Sequence, residues 1–373
     1  MDKLQDLFFE LIRISIGASD CMSKTPTNEE WPMLYEMAKK QSIVGVCFAG
    51  VYRLRLQKQG PESPLYFTWM GMAAKIQQLN EEKNQQCAIL TGHFQDIGFR
   101  TCILKGQGTA ALYGELANLR QSGDIDAWVM PRDTRTIKES RTRIDELVHK
   151  SFPDETGKFL HINYPLFPNT EVEVHYVPTM DGNPLVDKRF VQIFEDRQDA
   201  CFGNQTDLGF SVLEPTLNVV FNLHHIMRHF INEGIGMRHV MDLYFLLGAL
   251  NRKDLNNPNS ILSTMRGLGM QRFTSGLMWI LKDVFGMSEE LLLCEPNEKR
   301  GRVLLHEIMR GGNFGHDDER LKGVHKMSFG KRWILYIKVS QVRFRYFPVA
   351  TFWSWMFRVK VGFWRRFGVG GID

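Results

Sequence analysis

Two aspartates at the start of a short apolar run have the spacing of a metal site. Asp124 and Asp126 stand two residues apart, and residues 125–130 are typical of a β-strand. Because alternate residues of a strand point to the same face, both carboxylates aim at one point. Carboxylate oxygens are the ligands that Mg²⁺ prefers. The pair therefore predicts a site for a hard divalent cation, Mg²⁺ or Mn²⁺.

A third acid on a later strand would complete such a site. Residues 172–176 alternate apolar and polar side chains as half-buried strands do, and Glu173 lies among them. Glu171 shares the face of Glu173 and is the alternative ligand. His175 is also on that face, where it either contacts substrate or caps the sheet. With a third carboxylate in place, two metal ions could activate an attacking oxygen and neutralise a departing pyrophosphate.

A glycine-containing turn upstream is the candidate phosphate site. Residues 101–104 are a short apolar run with strand character, and glycines follow at positions 106 and 108. Such glycines let backbone N–H groups and the start of the next helix approach a triphosphate, where the helix dipole favours anions. The candidates for nucleotide binding, two of them cationic, are Lys105, Gly106, Gln107, Arg120 and Gly123.

The apolar–polar alternation also predicts the elements that position these side chains. Residues 1–99 read as helical, the middle as a compact α/β unit, and the chain from residue 214 onward as mostly helical. We therefore predict an α+β fold in which a small mixed sheet carries the acidic triad. The expected strands are 101–104, 125–130, 161–164 and 172–176, and the expected helices include 132–150, 215–230 and 237–250. The expected segments are a helical lead-in at 1–99, the α/β core at 100–200, a helical domain at 201–320 and a basic aromatic tail at 321–373.

Taken together, these motifs resemble those of the polymerase β-type nucleotidyltransferase superfamily. Active sites of that superfamily pair a glycine-containing strand-to-helix turn with an Asp-x-Asp strand and a third carboxylate on a later strand. Within it, the chain is most similar to a bacterial family of uncharacterised nucleotidyltransferases with L-K-G, R-x-x-G-D-I-D and E-x-H motifs. These motifs stand here at residues 104–106, 120–126 and 173–175, and the resemblance extends over residues 100–250.

The resemblance implies transfer of a nucleoside monophosphate from an NTP to an acceptor, with Mg²⁺-dependent release of pyrophosphate. Asp124, Asp126 and Glu173 would be both catalytic residues and metal ligands. The acceptor cannot be read from the sequence, because this superfamily modifies RNA ends, proteins, antibiotics and small metabolites. The turn departs from the usual pattern, since Gln107 follows Gly106 where serine or glycine is common. A catalytically silent nucleotide-binding protein and a membrane-surface adaptor are the alternatives.

Two later helices extend the resemblance. Residues 224–229 look like the histidine-bearing helix of that family, and Arg238 with Asp242 looks like its R-x-x-x-D helix. His225 and His229 lie one helical turn apart, which zinc could use, but we prefer a structural pair because no further ligand is evident. Arg238 and Asp242 either form an intrahelical ion pair or line the nucleotide pocket and contact substrate.

Composition narrows the class of protein. A chain of 373 residues with 43% hydrophobic and 24% charged residues can form one large or two modest domains. Its six cysteines are scattered with no C-x-x-C pair, which predicts neither a zinc cluster nor a disulfide framework. The N-terminal residues lack the order of a signal peptide, and the apolar stretch at 346–357 is shorter than the roughly 20 residues that span a bilayer. We expect a cytoplasmic protein.

The basic charge is concentrated near the C-terminal end. Residues 322–372 hold 11 Lys and Arg and no Asp or Glu, although the formal net charge of the whole chain is only +4. Large aromatic side chains alternate with the basic ones over residues 322–366. This pattern suits peripheral contact with an anionic membrane at its inner face, or with nucleic acid. The third interpretation is a helix that packs its aromatic stripe on the protein body.

Overall fold

The computed structural model describes residues 3–250 and 261–367, and the side chains in these ranges except those of residues 325, 329 and 362–367. The helices that precede the first strand in the described part are α1 (Lys3–Ser15), α2 (Glu30–Lys40), α3 (Val44–Leu56) and α4 (Ser63–Asp96). The central elements are β1 (Phe99–Ile103), α5 (Gln107–Ala110), a 3₁₀ segment (Ala111–Leu119), β2 (Ile125–Pro131), α6 (Ile137–Ser151), β3 (His161–Asn163), β4 (Val172–His175), α7 (Pro184–Phe202) and β5 (Ser211–Val212).

The rest of the described chain is helical. Its longer elements are α8 (Pro215–Asn232), α9 (Met237–Gly248), α10 (Ile261–Gly267), α11 (Gln271–Asp283), α12 (Glu298–Gly311), α13 (Phe329–Tyr346) and α14 (Pro348–Phe367). The helices predicted at 215–230 and 237–250 correspond to α8 and α9, and each predicted strand lies within a few residues of an observed one. The charged helix begins later than predicted, because a turn follows β2 and Thr136 then caps α6 by accepting from the backbone N–H of Glu139.

The strands of the described part form one mixed sheet in the order β3-β4-β2-β1-β5. The β1–β2 and β3–β4 pairs are antiparallel, whereas β2–β4 and β1–β5 are parallel. The register sets Asp126 opposite Glu173 and Trp128 opposite His175. Since directly opposite residues of paired strands lie on the same face, these four side chains share one face of the sheet. The predicted α+β fold with a small mixed sheet is confirmed.

Both faces of the central strand are buried, which explains why β2 is nearly all apolar. On one face, Ile125, Ala127 and Val129 join an apolar cluster with side chains of α4, α6 and β4. On the other face, the ring of Trp128 packs against Phe194 and Phe202 of α7. Asp126 belongs to this second face. The Asp126 carboxylate thus lies on a buried face of the sheet, where only strong polar partners can stabilise its charge.

The described residues pack into two compact units. The first comprises residues 1–78, 113–121 and 223–352, and the second comprises residues 79–112, 122–222 and 353–373. The second unit contains the whole sheet and the first is helical. The segment boundaries expected after residues 99, 200 and 320 stay a prediction.

The C-terminal helices have buried as well as exposed faces. In the first unit, Arg343 of α13 donates to the carbonyl oxygen of Ile231 at 3.0 Å, and the Phe347 ring packs against Phe230 and Phe273. In the second unit, the ring of Phe357 lies 5.0 Å from that of Phe159. Part of the predicted aromatic stripe therefore packs on the protein. Among the described helices, none combines the length and apolarity needed to cross a membrane.

Candidate active site

The turn after β1 has a backbone that only glycine adopts easily. Gly106 has a φ of +64°, in the left-handed region. A Cβ atom at Gly108 would lie 2.5 Å from the carbonyl oxygen of Ile103, which is closer than any real contact allows. The backbone N–H of Leu104 donates to the carbonyl oxygen of Asp126 at 2.9 Å, so the turn begins beside the acidic strand. Both glycines singled out in the sequence are required by this geometry.

Gln107 holds the turn to the rest of the second unit. Its buried amide donates to Oδ1 of Asn84 on α4 at 2.6 Å, and its Oε1 accepts from the hydroxyl of Ser122 at 2.6 Å. The hydroxyl oxygen of Ser122 also lies 2.7 Å from Oδ1 of Asn80. The side chain of Gln107 therefore ties the glycine turn, α4 and the segment before Asp124 together. The nucleotide contact of Gln107 stays a prediction, and with the side chain engaged in this way it would involve the backbone.

The predicted acidic residues converge in the structure. One ligand oxygen from each of Asp124, Asp126 and Glu173 lies within 4.8 Å of the others. Asp126 is only 1% exposed, whereas Asp124 is partly open to solvent. Glu171, the alternative ligand, precedes β4 and is exposed, while its carbonyl oxygen accepts from the backbone N–H of Ile125. The geometry selects Glu173 as the third member of the cluster.

Lys105 provides the nearest fixed positive charge. Its Nζ lies 3.1 Å from Oδ1 of Asp126 and 3.7 Å from Oδ2 of Asp124. Burial disfavours the charged ammonium, but the charges of Asp126, Asp124 and Glu173 outweigh this effect and raise the pKa of Lys105 above its ordinary value. The ammonium of Lys105 therefore forms ion pairs with both predicted metal ligands.

His175 links the two buried acids. Its Nε2 lies 2.9 Å from Oδ1 of Asp126 and 3.5 Å from Oε2 of Glu173. Burial lowers the pKa of His175, but hydrogen bonds to Asp126 and Glu173 reverse this and raise it. Burial likewise opposes ionisation of Glu173, yet the hydrogen bond from His175 and the charges of His175, His161 and Lys105 hold its pKa at about 2. His175 sits within the acidic site, as its predicted substrate-contacting role requires.

The donor set fits a divalent metal ion. Oδ2 of Asp126 is shielded from water and has no hydrogen-bond partner within the described part of the chain. Burial raises the pKa of Asp126, but the charge of Lys105 and the hydrogen bond from His175 outweigh it and lower the pKa. A buried, ionised and unpartnered oxygen beside two further carboxylates has the chemistry of a Mg²⁺ or Mn²⁺ ligand. These three side chains could hold such an ion.

Three further site candidates, Arg120, Arg238 and Asp242, belong to the first unit. Arg120 forms a bidentate ion pair with Asp242, with Nε–Oδ1 and Nη2–Oδ2 distances of 2.6 and 2.7 Å. The hydroxyl of Tyr113 donates to the same Oδ1 at 2.6 Å. Arg238 donates to the carbonyl oxygen of Gln121 at 2.8 Å. Asp242 is thus paired with a residue outside its own helix, which the four-residue spacing to Arg238 did not indicate.

Two histidines of α8 contact each other edge to face. The rings of His225 and His229 are 4.3 Å apart, and Nδ1 of His229 lies 2.8 Å from Oε2 of Glu233. Within the described residues, both groups of three or more ligand side chains that approach within 4.8 Å lie on the sheet, and these histidines are in neither. The structural role of this histidine pair stays a prediction.

Two residues near the acidic cluster were missed by sequence reasoning. Lys83 of α4 donates to the carbonyl oxygen of Gly123, next to Asp124, and burial lowers its pKa. His161 of β3 lies opposite His175, with its Nε2 3.2 Å from Oε1 of Glu173. The alternating apolar–polar pattern of residues 161–164 placed His161 on a predicted strand but did not mark it as a site residue. For Lys83, the sequence predicted only that it lies on a helix.

Comparison with known proteins defines the class. A family model described as uncharacterised nucleotidyltransferase matches residues 27–286. The fold and the family match place the protein in the nucleotidyltransferase superfamily.

More narrowly, the chain belongs to this family of uncharacterised nucleotidyltransferases. A solved structure, an antigenic nucleotidyltransferase-like protein from Paracoccidioides brasiliensis, is similar over 55% of this chain and 93% of its own, with 15% identity and a TM-score of 0.32. A search of curated proteins gave no match.

Proposed function

We propose that the protein transfers a nucleoside monophosphate from an NTP to an acceptor and releases pyrophosphate with the help of Mg²⁺ or Mn²⁺. The observation that carries this proposal is the convergence of ligand oxygens of Asp124, Asp126 and Glu173 within 4.8 Å of one another, together with the unpartnered Oδ2 of Asp126. The family match supports the reaction class. The acceptor is not specified by these residues.

Each residue has a distinct part in the proposed mechanism. A bound divalent ion would supply Lewis-acid stabilisation of the phosphoryl charge and of the attacking oxygen. Asp124 and Asp126 would hold that ion, and Glu173 would complete the set beside the acceptor hydroxyl. With a divalent ion held by the two aspartates, the ammonium of Lys105 would be able to contact a phosphate oxygen. Gly106 and Gly123 would let the backbone approach the nucleotide.

Pyrophosphate release from α-labelled NTPs tests the proposal. Purified protein is incubated with each of the four NTPs in Mg²⁺ or Mn²⁺, and label is followed on the protein and on added RNA. Asp126→Asn should abolish release, whereas the matched control Asp154→Asn, which changes an exposed aspartate of the same unit, should retain it. Mg²⁺-dependent NTP binding without pyrophosphate release, whichever class of acceptor is added, would favour the catalytically silent alternative.

An exposed stripe on α14 favours an additional role at an anionic membrane surface. Val349, Phe352, Met356 and Val359 recur at helical spacing and are 66%, 46%, 46% and 45% exposed. The surrounding segment, residues 322–372, carries 11 basic and no acidic residues. Apolar side chains flanked by positive charge suit burial at the surface of an anionic bilayer. We propose that the protein binds the inner membrane face peripherally through this stripe.

Liposome flotation of the full chain tests this additional role. Met356→Glu should lower the fraction bound to vesicles containing phosphatidylserine. The control Leu185→Glu changes a 73% exposed leucine elsewhere in the second unit and should bind as the wild type does. Equal flotation of all three proteins, or retention on RNA in place of vesicles, would contradict the membrane role.

A further inference from the structure

A second group of ligand side chains overlaps the acidic cluster. His161, Glu173 and His175 each place one ligand atom within 4.8 Å of the others. The antiparallel register of β3 and β4 creates this group, because it sets His161 opposite His175 and Asn163 opposite Glu173. All three side chains therefore share the sheet face that carries Asp126. Glu173 belongs to both groups.

The histidine nitrogens in this group are poorly satisfied. Both ring nitrogens of His161 and Nδ1 of His175 are shielded from water and lack a hydrogen-bond partner among the described residues. Nε2 of His161 lies 3.2 Å from Oε1 of Glu173, but the angles are not those of a hydrogen bond. His175 is 4% exposed. Polar atoms that are shielded from water and form no hydrogen bond destabilise the folded state unless a ligand binds them.

We propose that His161, His175 and Glu173 form a second cation site, next to the all-oxygen site of Asp124 and Asp126. Two imidazole nitrogens with one carboxylate suit Zn²⁺, Co²⁺ or Mn²⁺ better than Mg²⁺, which takes oxygen ligands. Ligand atoms bound to one such ion at about 2.1 Å lie roughly 3.4 Å apart in tetrahedral geometry, so small side-chain shifts suffice. Glu173, with one oxygen toward each histidine, is the carboxylate that both sites share.

The two sites differ in the cation that they select. The carboxylate oxygens of the first site favour a hard ion such as Mg²⁺, whereas the imidazole nitrogens of the second site favour a softer ion. Three protein ligands leave coordination positions open, as in catalytic sites. The consequence for catalysis, that full activity needs Mn²⁺ or a mixture of ions, rests on the proposed nucleotidyl transfer. Binding of the softer ion does not depend on that reaction.

Cobalt titration without nucleotide tests the site directly, since the visible absorption of Co²⁺ reports nitrogen ligands and coordination number. Metal-free full-length protein should bind Co²⁺ with the strong visible band of a four- or five-coordinate ion. His161→Ala should lose that band and weaken Co²⁺ binding by at least about tenfold, since even outer partners of a metal are worth roughly 10–100-fold. His149→Ala, which changes an exposed histidine of the same unit, should match the wild type.

The wild-type spectrum alone can overturn the proposal, because only the weak band of six-coordinate, oxygen-ligated Co²⁺ would mean that no histidine binds the ion. Unchanged titration of His161→Ala would do the same. His161→Gln keeps a polar side chain at this partly exposed position, and its thermal unfolding in chelator checks that the fold is intact. Failure of nucleotidyl transfer with an intact cobalt band would contradict only the proposed function, and loss of the band with Mg²⁺-dependent transfer would contradict only this site.

Discussion

Removal of the Asp242 carboxylate should strongly destabilise the first unit. The side chains of Arg120 and Asp242 are 5% and 6% exposed, and the carboxylate accepts two hydrogen bonds from Arg120 and one from Tyr113. Asp242→Ala leaves a buried guanidinium without its counter-charge, which costs about 3–5 kcal/mol in comparable pairs. Tyr113→Phe removes one hydrogen bond to a charged group and should cost about 1.5–3 kcal/mol.

Urea unfolding followed by tryptophan fluorescence measures this effect. With a urea dependence of about 1–3 kcal/mol per M, a loss of at least 3 kcal/mol lowers the midpoint by about 1 M or more. The double variant Arg120→Met/Asp242→Leu is the matched control, because it removes both charges and fills the space with apolar side chains. It should be much more stable than Asp242→Ala, since replacing a whole buried pair is often neutral or stabilising.

A midpoint of Asp242→Ala within about 0.3 M of the wild type would refute this reasoning, because it corresponds to less than about 1 kcal/mol. It would mean that the attraction between the Asp242 carboxylate and its partners only offsets the free-energy cost of burying the carboxylate. A double variant as unstable as Asp242→Ala would also refute it, since the loss would then come from packing and not from an unpaired charge.

Three further outcomes are expected. Asp126→Asn should lower nucleotidyl transfer by at least about 100-fold, measured as pyrophosphate release, because it removes a charge aimed at the reacting phosphate. Gly108→Ala should destabilise the protein by about 1–3 kcal/mol in urea, because its Cβ would lie 2.5 Å from a carbonyl oxygen. In the presence of a metal chelator, the free energy of unfolding should fall over two separate pH ranges as the pH is lowered. His161 has a folded pKa of about 4, below its ordinary value of 6.5, so stability is full above pH 6.5 and declines toward pH 4 as the unfolded state takes up the proton. Glu173, with a folded pKa of about 2, contributes stability that is complete above pH 4.5 and is lost toward pH 2. His161→Gln should remove the first decline in a pH series of thermal unfolding, and an unchanged slope would contradict it.

The local part of the site was predictable from the sequence. Asp124 and Asp126 stand at the edge of a short apolar run bounded by glycine and proline, and this length and these flanking residues favour a strand over a helix. The glycines at 106 and 108 were informative for the same reason, since backbone constraints act within a few residues. The choice of Glu173 over Glu171 was harder. Both side chains are two positions apart in one alternating segment and are therefore expected on the same face. The pairing of Asp126 with Glu173 across the two strands identifies Glu173 as the closer one.

Arg120 shows why the rest could not be predicted. Its position in the R-x-x-G-D-I-D motif suggested a phosphate contact, but in the structure its guanidinium is paired with Asp242, 122 residues away. The sequence offered Asp242 a nearer partner in Arg238, one helical turn before it. Which arginine a buried carboxylate takes depends on how distant segments pack, and local spacing carries no information about that packing. The nucleotide-binding role of Arg120 stays a prediction.

The charges of the acidic face are not balanced by the protein alone. Asp124, Asp126 and Glu173 bring three carboxylates together, and the positive groups in contact with them are Lys105 and His175, both with raised pKa values. Even two full positive charges cannot neutralise three carboxylates, and Oδ2 of Asp126 lacks a partner within the described residues. An added divalent ion would offset the remaining negative charge and so allow the approach of a polyanion such as a triphosphate. The same imbalance that makes the face costly to bury therefore makes it selective for a cation and a phosphate together.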